Sequence, residues 1–331
     1  NLTAQLGAAN GTMGAITSPA RLKSQLDDIF DLSTLSSFKL LDVQNVILGY
    51  QDAKAQQSWL VDGGRLSISK ADEVLTIRSD FALLSGGTDV SFIEANFQTL
   101  IGQRASAFGV KFKDLPTTAL ASQSVGFAWL GALDAPLSGA IRGGFDQNGR
   151  LEPITATLDI AEGAFKPSPS SKPLEFSSLK TYFTYNPAYQ MLTFDNVSLN
   201  SADVNFSGEG NAFVETNDFF KTSLIGQFRL NKITVGLKEF FDEPKTLDTA
   251  NLEFRLLLDP FEVQLKHFYG IDKARALSVR GEAQFVTDDT GWSIALQAML
   301  DRLNYEGLMH YWPHEFKASQ RRWVAENVEK A

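Results

Sequence analysis

The feature of this sequence that most constrains its fold is an alternation of apolar and polar residues with a period of two. It starts near Phe38, and soon afterwards Val46, Leu48 and Tyr50 fall on one side of the pattern. Side chains of a β-strand alternate between the two faces of a sheet, so this period predicts strands with one apolar face. The sequence therefore predicts a mostly β fold built on a long antiparallel sheet, with short helices at the ends.

The second half of the chain repeats the pattern with phenylalanine and aliphatic residues. The chain contains 25 Phe, 4 Met and no Cys. Aromatic rings pack well on a pleated surface, so their abundance favours a strand-rich interior. Pairs that follow the alternation are Leu192 and Phe194, Val204 and Phe206, Phe228 and Leu230, and Ile233 and Val235.

Three segments depart from the period of two. Thr17–Phe30 carries Pro19 at the first helical position, which predicts a capping helix. A short helical turn is predicted to end at Ala121. Glu315–Lys330 is predicted to form an amphipathic helix entered through Trp312-Pro313. Its apolar stripe consists of Phe316, Trp323, Val324 and Val328. The predicted division is an N-terminal segment with the capping helix (1–37), an antiparallel β region (38–310) and a C-terminal amphipathic helix (311–331).

Turn signals separate the strands. Asn148-Gly149 is the strongest short hairpin signal, because both residues tolerate positive φ. A turn is also predicted at Asp62-Gly63-Gly64. The polar stretch Pro167–Ser171 is short, so we expect a loop within one continuous sheet and not a linker between domains.

The overall charge limits the partners. A formal net charge of -9 argues against nucleic acid, because phosphate binding needs a concentrated basic face. No run approaches the roughly 20 apolar residues that a membrane-spanning helix requires. The sequence starts at Asn1 without an initiator Met or a signal peptide. We therefore expect it to be a piece of a longer protein, with any membrane anchor upstream.

No group of residues predicts catalysis. His310 and His314 have the spacing of a helical metal pair, but Pro313 between them predicts that a helix begins there and leaves His310 outside. His267 is expected at a strand end or in a loop. Glycine pairs such as Gly63-Gly64 lack the Gly-Lys-Ser/Thr continuation of a phosphate loop. The prediction is a protein that is not an enzyme, with no catalytic residues, metal site or cofactor.

Alternation by itself leaves two readings open. Any half-buried antiparallel sheet alternates apolar and polar residues, so the apolar face can pack on itself as a sandwich. Many strands and few helices leave that face short of a covering layer, which favours a groove that holds an apolar ligand.

Several stretches resemble the AsmA-like (YhdP-like) proteins of Gram-negative envelopes. They are LLDVQNVILGYQD at Leu40–Asp52, LTFDNVSLNSADVNFSGEG at Leu192–Gly210 and YWPHEFKASQRRWVAENV at Tyr311–Val328. The last contains a Trp-Pro pair followed about ten residues later by Arg-Trp-Val, which resembles a recurring break in that family's strand array. The residues here are Trp312, Pro313, Arg322, Trp323 and Val324.

This resemblance implies a repeating β-groove over 38–310, which is a long, curved antiparallel sheet with an apolar concave lining. The same resemblance implies a periplasmic protein that an upstream helix tethers to the inner membrane. It also implies that the segment carries phospholipid between the inner and outer membranes, with envelope proteins as possible further partners. Acyl chains need continuous apolar surface, whereas head groups can remain in water. The residues expected to line the groove are Phe194, Phe206, Phe228, Leu230, Phe254, Leu256, Val279, Phe285 and Ile294. The alternative is a non-catalytic structural or protein-interaction module of the cell envelope.

Overall fold

The computed structural model describes residues 38–52, 57–84, 90–121, 125–167, 171–216, 222–236, 241–258, 260–288, 291–301, 305–314 and 316–328. The helix predicted at Thr17–Phe30 lies outside these residues. The strands are β1 Leu40–Asp52, β2 Gln57–Ala71, β3 Val74–Leu84, β4 Val90–Leu100, β5 Ser106–Pro116, β6 Leu133–Asp134, β7 Pro136–Phe145, β8 Ile154–Ile160, β9 Gly163–Phe165, β10 Leu174–Phe176, β11 Ser178–Asn186, β12 Met191–Asn200, β13 Val204–Thr216, β14 Thr222–Val235, β15 Lys245–Leu258, β16 Phe261–Asp272, β17 Leu277–Asp288 and β18 Gly291–Leu300. The helices are α1 Thr117–Ala121, a 3-10 helix Val125–Ala132, α2 Tyr305–Tyr311 and α3 Ala318–Asn327.

The predicted fold class is confirmed. In the described part of the chain, fifteen strands form one sheet in the order β1-β2-β3-β4-β5-β7-β8-β11-β12-β13-β14-β15-β16-β17-β18. The remaining three form a small sheet in the order β10-β9-β6. Neighbours in the large sheet follow one another in sequence apart from these three short strands. Such an antiparallel meander is what hairpin-connected strands produce.

The chain divides into two compact units. Within the described residues, one unit spans 38–121 and 137–158, and the other spans 125–136 and 159–328. In the first unit Ile68, Ile77, Phe97 and Phe108 lie opposite one another on β2, β3, β4 and β5. Residues directly opposite share a face of a sheet, so these four form one apolar row. The predicted alternation in this half of the chain therefore corresponds to a real apolar face.

The turn predicted at Asp62-Gly63-Gly64 is wrong. Strand β2 continues through these residues, and its register with β3 shifts between Asp62 and Arg65. Gly63 has a φ of 70°, and a Cβ on Gly64 would lie 3.0 Å from Phe81 Cβ. The two glycines therefore allow a β-bulge and a close approach between strands. The connection to β3 lies at residues 72–73 instead.

The hairpin predicted at Asn148-Gly149 is confirmed between β7 and β8. Gly149 has a φ of 76°, and its backbone N–H donates to the carbonyl of Asp146 at 2.9 Å. One carboxylate oxygen of Asp146 accepts hydrogen bonds from the backbone N–H groups of Asn148 and Arg150, each at 2.8 Å. These bonds fix the turn and lower the pKa of Asp146, with the bond from Arg150 contributing most.

The C-terminal prediction is correct in part. Helix α3 lies within the predicted segment, but its apolar stripe is not buried, since Phe316 is 59% and Trp323 is 61% exposed. Helix α2 was not predicted, and it contains His310, which the sequence places outside any helix. Pro313 follows the end of α2 by two residues and so stops a helix instead of starting one. The last strand of the described residues, β18, ends at Leu300, ten residues before the predicted end of the β region.

Candidate functional site

The second unit carries one continuous apolar face over β11–β18. Phe194 lies opposite Gly210, Gly210 opposite Phe228, Phe228 opposite Leu252 and Leu252 opposite Phe268. The two faces of the sheet can be followed residue by residue along each strand, with the bulges taken into account. All nine predicted groove residues then lie on this same face. Their burial differs: Phe194 and Leu230 are buried, Ile294 is 56% exposed, and Phe206, Phe228, Phe254, Leu256, Val279 and Phe285 are half-buried.

Four phenylalanine rings, here called the phenylalanine row, cross this face. Ring centroids of Phe183 and Phe194 lie 5.5 Å apart, those of Phe194 and Phe228 5.3 Å apart, and those of Phe228 and Phe254 5.5 Å apart. Phe194 and Phe228 are on strands that are not adjacent. Gly210 of β13 lies between them, and a Cβ there would come within 2.7 Å of Phe228 Cδ1. The missing side chain lets the two rings meet above the intervening strand.

Phe183 is a member of the row that the sequence did not predict. It is 1% exposed and also meets Phe127 of the 3-10 helix edge to face, with centroids 6.3 Å apart. Leu179, Phe183 and Tyr185 share a face of β11, but Thr181 interrupts the apolar alternation between them. Its contacts with the rings of Phe127 and Phe194 identify Phe183 as a member of the row.

Part of the apolar face is packed on itself. Leu230, Ile233 and Ala250 form a buried cluster, with exposures of 6%, 8% and 1%. Partly buried side chains surround it, namely Phe206, Phe228, Val235, Leu252 and Phe268. At this position the sheet already has a core.

A second aromatic cluster lies at the opposite end of the strands. The ring of Phe165 on β9 is 5.2 Å from that of Phe261 and 6.0 Å from that of Trp292, measured between centroids. Trp292 Nε1 donates a hydrogen bond of 2.9 Å to the carbonyl of Lys172. Residues of β9 and of the segment after it therefore cover this end of the face.

Helix α2 covers the other end through a buried polar cluster. Asp272 is 1% exposed and accepts hydrogen bonds from Arg275 N at 3.1 Å, Arg275 Nη1 at 3.1 Å and the Tyr311 hydroxyl at 3.0 Å. Burial alone would raise the pKa of Asp272, but these bonds outweigh it and hold the pKa below its ordinary value. Burial, followed by the bond to Asp272, raises the pKa of Tyr311. The carboxylate thus anchors α2 to the sheet.

Lys245 and His310 lie in the same region. Lys245 is 8% exposed, pairs with Val235 at the end of β15, and places Nζ 3.4 Å from His310 Nδ1 and 5.0 Å from the Phe241 ring centroid. His310 Nε2 is buried and has no hydrogen-bond partner. Burial lowers the pKa of both side chains, and for His310 the charge of Lys245 adds to the effect.

The opposite face of the sheet is polar. Glu209, Gln227, Arg229, Glu253 and His267 line a shallow cleft there. His267 is exposed within β16, not at a strand end as expected, and its Nδ1 is 3.2 Å from a Glu253 oxygen. In the described ranges, no group of three or more His, Asp or Glu is arranged to hold a metal ion. No helix of these ranges is long and apolar enough to cross a membrane.

Comparison with known proteins gives the site no relative. No protein-family model, curated protein or solved structure matches this chain.

Proposed function

We propose that this chain is a non-catalytic segment of a bridge-type lipid-transfer protein, and that the apolar face over β11–β18 holds the acyl chains of phospholipids. The proposed location is the periplasm, with an inner-membrane tether and any envelope partners provided by regions outside this segment. The observation that carries the proposal is the register. It brings nine apolar residues from six strands onto one face, and most of them remain half-buried.

The dimensions of the face support an acyl chain as the occupant. Eight strands at a spacing of about 4.8 Å extend about 34 Å along the sheet. One leaflet of a bilayer has a hydrocarbon depth of about 15 Å, half of the roughly 30 Å core. Half-buried rings such as Phe228 and Phe254 still have surface that an acyl chain can cover, at about 25 cal/mol per Å².

Transport of this kind needs no reacting groups. Asp272, the buried carboxylate at one end of the apolar face, is held in a structural role by Arg275 and Tyr311. A groove that binds uncharged chains and leaves their bonds intact requires only surface and access.

Charged substitutions on the apolar face test the proposal. We expect Phe206→Asp and Phe254→Asp to remain folded and to lose co-purifying phospholipid, measured by mass spectrometry of lipid extracts from the purified protein. The matched control is Gln227→Asp, an exposed residue on the polar face of β14. It should keep both the fold and the lipid. A wild-type protein that carries no phospholipid after expression in a Gram-negative host would contradict the proposal.

One observation favours the alternative of a structural or protein-interaction module. The cluster of Leu230, Ile233 and Ala250 shows that part of the face is filled by its own side chains. If the whole face acts as such a core, Phe206→Asp and Phe254→Asp will unfold the protein. Circular dichroism on the same variants therefore separates the two functions.

A further inference from the structure

We infer that Lys245 and His310 bind the phosphate group of a phospholipid whose acyl chains lie on the apolar face. This inference rests on the proposed function and adds a head-group site to it. The two residues come from different elements, β15 and α2, and meet at one end of the face.

The site has more hydrogen-bond donors than acceptors. A charged Lys245 has three N–H donors, and its contact in this cluster is His310 Nδ1 at the long distance of 3.4 Å. If Nδ1 accepts from Lys245, the proton of a neutral imidazole is on Nε2, which is buried without a partner. Buried donors are normally satisfied, so the missing component is an acceptor.

The surrounding carboxylates do not supply that acceptor. Asp272 already receives three hydrogen bonds from Arg275 and Tyr311. Asp242 pairs with His314 at 3.1 Å. Burial lowers the pKa of Lys245 despite the nearby charges of Glu243 and Asp242, and among the described residues no carboxylate oxygen comes within 4.0 Å of Nζ. An anionic ligand would complete the site.

The position fits a lipid better than a free anion. Lys245 lies opposite Val235, and Val235 opposite Val204, so the ammonium belongs to the last row of the apolar face. Phe206 and Ile233 lie opposite each other in the adjoining row. A lipid with its phosphate at Lys245 would extend its chains along the strands, past Phe206 and toward Phe228, which lies about 23 Å along β14 from Val235. Since Lys245 is 8% exposed, the phosphate would be shielded from water, which strengthens a charge-assisted hydrogen bond.

The test compares two lipids that differ in the phosphate alone. The purified chain is loaded from detergent micelles containing equal amounts of palmitoyl-oleoyl phosphatidic acid and palmitoyl-oleoyl glycerol, and the bound lipids are quantified by mass spectrometry. We expect wild type to enrich the phospholipid at least ten-fold. Lys245→Met should reduce the ratio to near one with total lipid unchanged, and Lys245→Arg should keep the enrichment. Lys266→Met, which alters an exposed lysine of β16, is the control and should also keep it.

Failure of the head-group site and failure of the proposed function give different results in this experiment. Equal binding of both lipids by wild type, or enrichment that survives in Lys245→Met, overturns the head-group site and leaves the proposed function standing. Binding of neither lipid overturns the proposed function itself. Binding of sn-glycerol 3-phosphate alone, with loss in Lys245→Met, would assign the site to a free phosphate and overturn the lipid assignment.

Discussion

Gly210 shows how one missing side chain organises the apolar face. Its absent Cβ would lie against the backbone oxygen of Gln227 and 2.7 Å from Phe228 Cδ1, both closer than van der Waals contact allows. We expect Gly210→Val to lower the free energy of unfolding by about 2 kcal/mol, because the branched side chain displaces the backbone of β14 and the ring of Phe228. Denaturant titration measures the change. At Gly49 a Cβ would meet nothing within 4 Å, so Gly49→Ala should stay within about 0.5 kcal/mol of wild type.

Asp272 should make stability depend on pH in the acid range. Its folded-state pKa is lowered, so near the unfolded value of about 3.9 the unfolded chain binds more protons than the folded one. Stability is therefore fully present above this value and is lost as the pH falls through the folded-state pKa. We expect Asp272→Asn to cost about 2 kcal/mol at pH 7 and to flatten this part of the pH profile. A profile that is as steep in the variant as in wild type would assign the acid sensitivity to other carboxylates.

The apolar positions of the site could be predicted, whereas the polar ones could not. A period of two assigns Phe206 and Phe254 to a face from local sequence alone. The contacts of Asp272 with Tyr311 and of Lys245 with His310 span 39 and 65 positions of sequence. They depend on how α2 packs against the sheet, and no local pattern specifies that packing.

At the scale of elements, β18 differs from the strands before it. It pairs with β17 and ends the order of the sheet, and its Ile294 and Leu296 are 56% and 72% exposed on the apolar face. We expect Leu296→Glu to change the free energy of unfolding by less than about 0.5 kcal/mol and to reduce self-association at this edge. Light scattering and denaturant titration measure the two effects. Leu192→Glu, the same change on the same face at 0% exposure, should prevent folding.

Element boundaries were predicted less well than element type. Gly63 and Gly64 carry a turn signal, but the contact of Gly64 with Phe81 makes them a bulge within β2. Pro313 is compatible with both the start and the end of a helix, and the packing of Tyr311 on Asp272 selects the end. In both cases a tertiary contact decides between two local structures that the sequence permits.

At the scale of the second unit, the apolar face is covered at both ends. Between the ends, half-buried side chains such as Phe228 and Phe254 lie beside the buried cluster of Leu230, Ile233 and Ala250. Trp292 closes one end against Lys172, and α2 closes the other through Asp272. A long apolar ligand can therefore gain affinity from each added methylene until it reaches an end. A self-packed module has no such dependence, so the length of the ligand is the variable that separates the two functions.

A series of short-chain phospholipids measures this dependence directly. Dihexanoyl and diheptanoyl phosphatidylcholine can be used below their critical micelle concentrations, and they differ by two methylene groups. At about 0.8 kcal/mol for each buried methylene, the longer lipid should bind about 1.6 kcal/mol more tightly, roughly a fifteen-fold lower Kd. The thermal midpoint should rise with the concentration of either lipid, because a ligand of the folded state stabilises it. Glycerophosphocholine, which lacks acyl chains, is the control and should leave the midpoint unchanged. Equal affinities for the two lipids would mean that the chains are not buried on the apolar face.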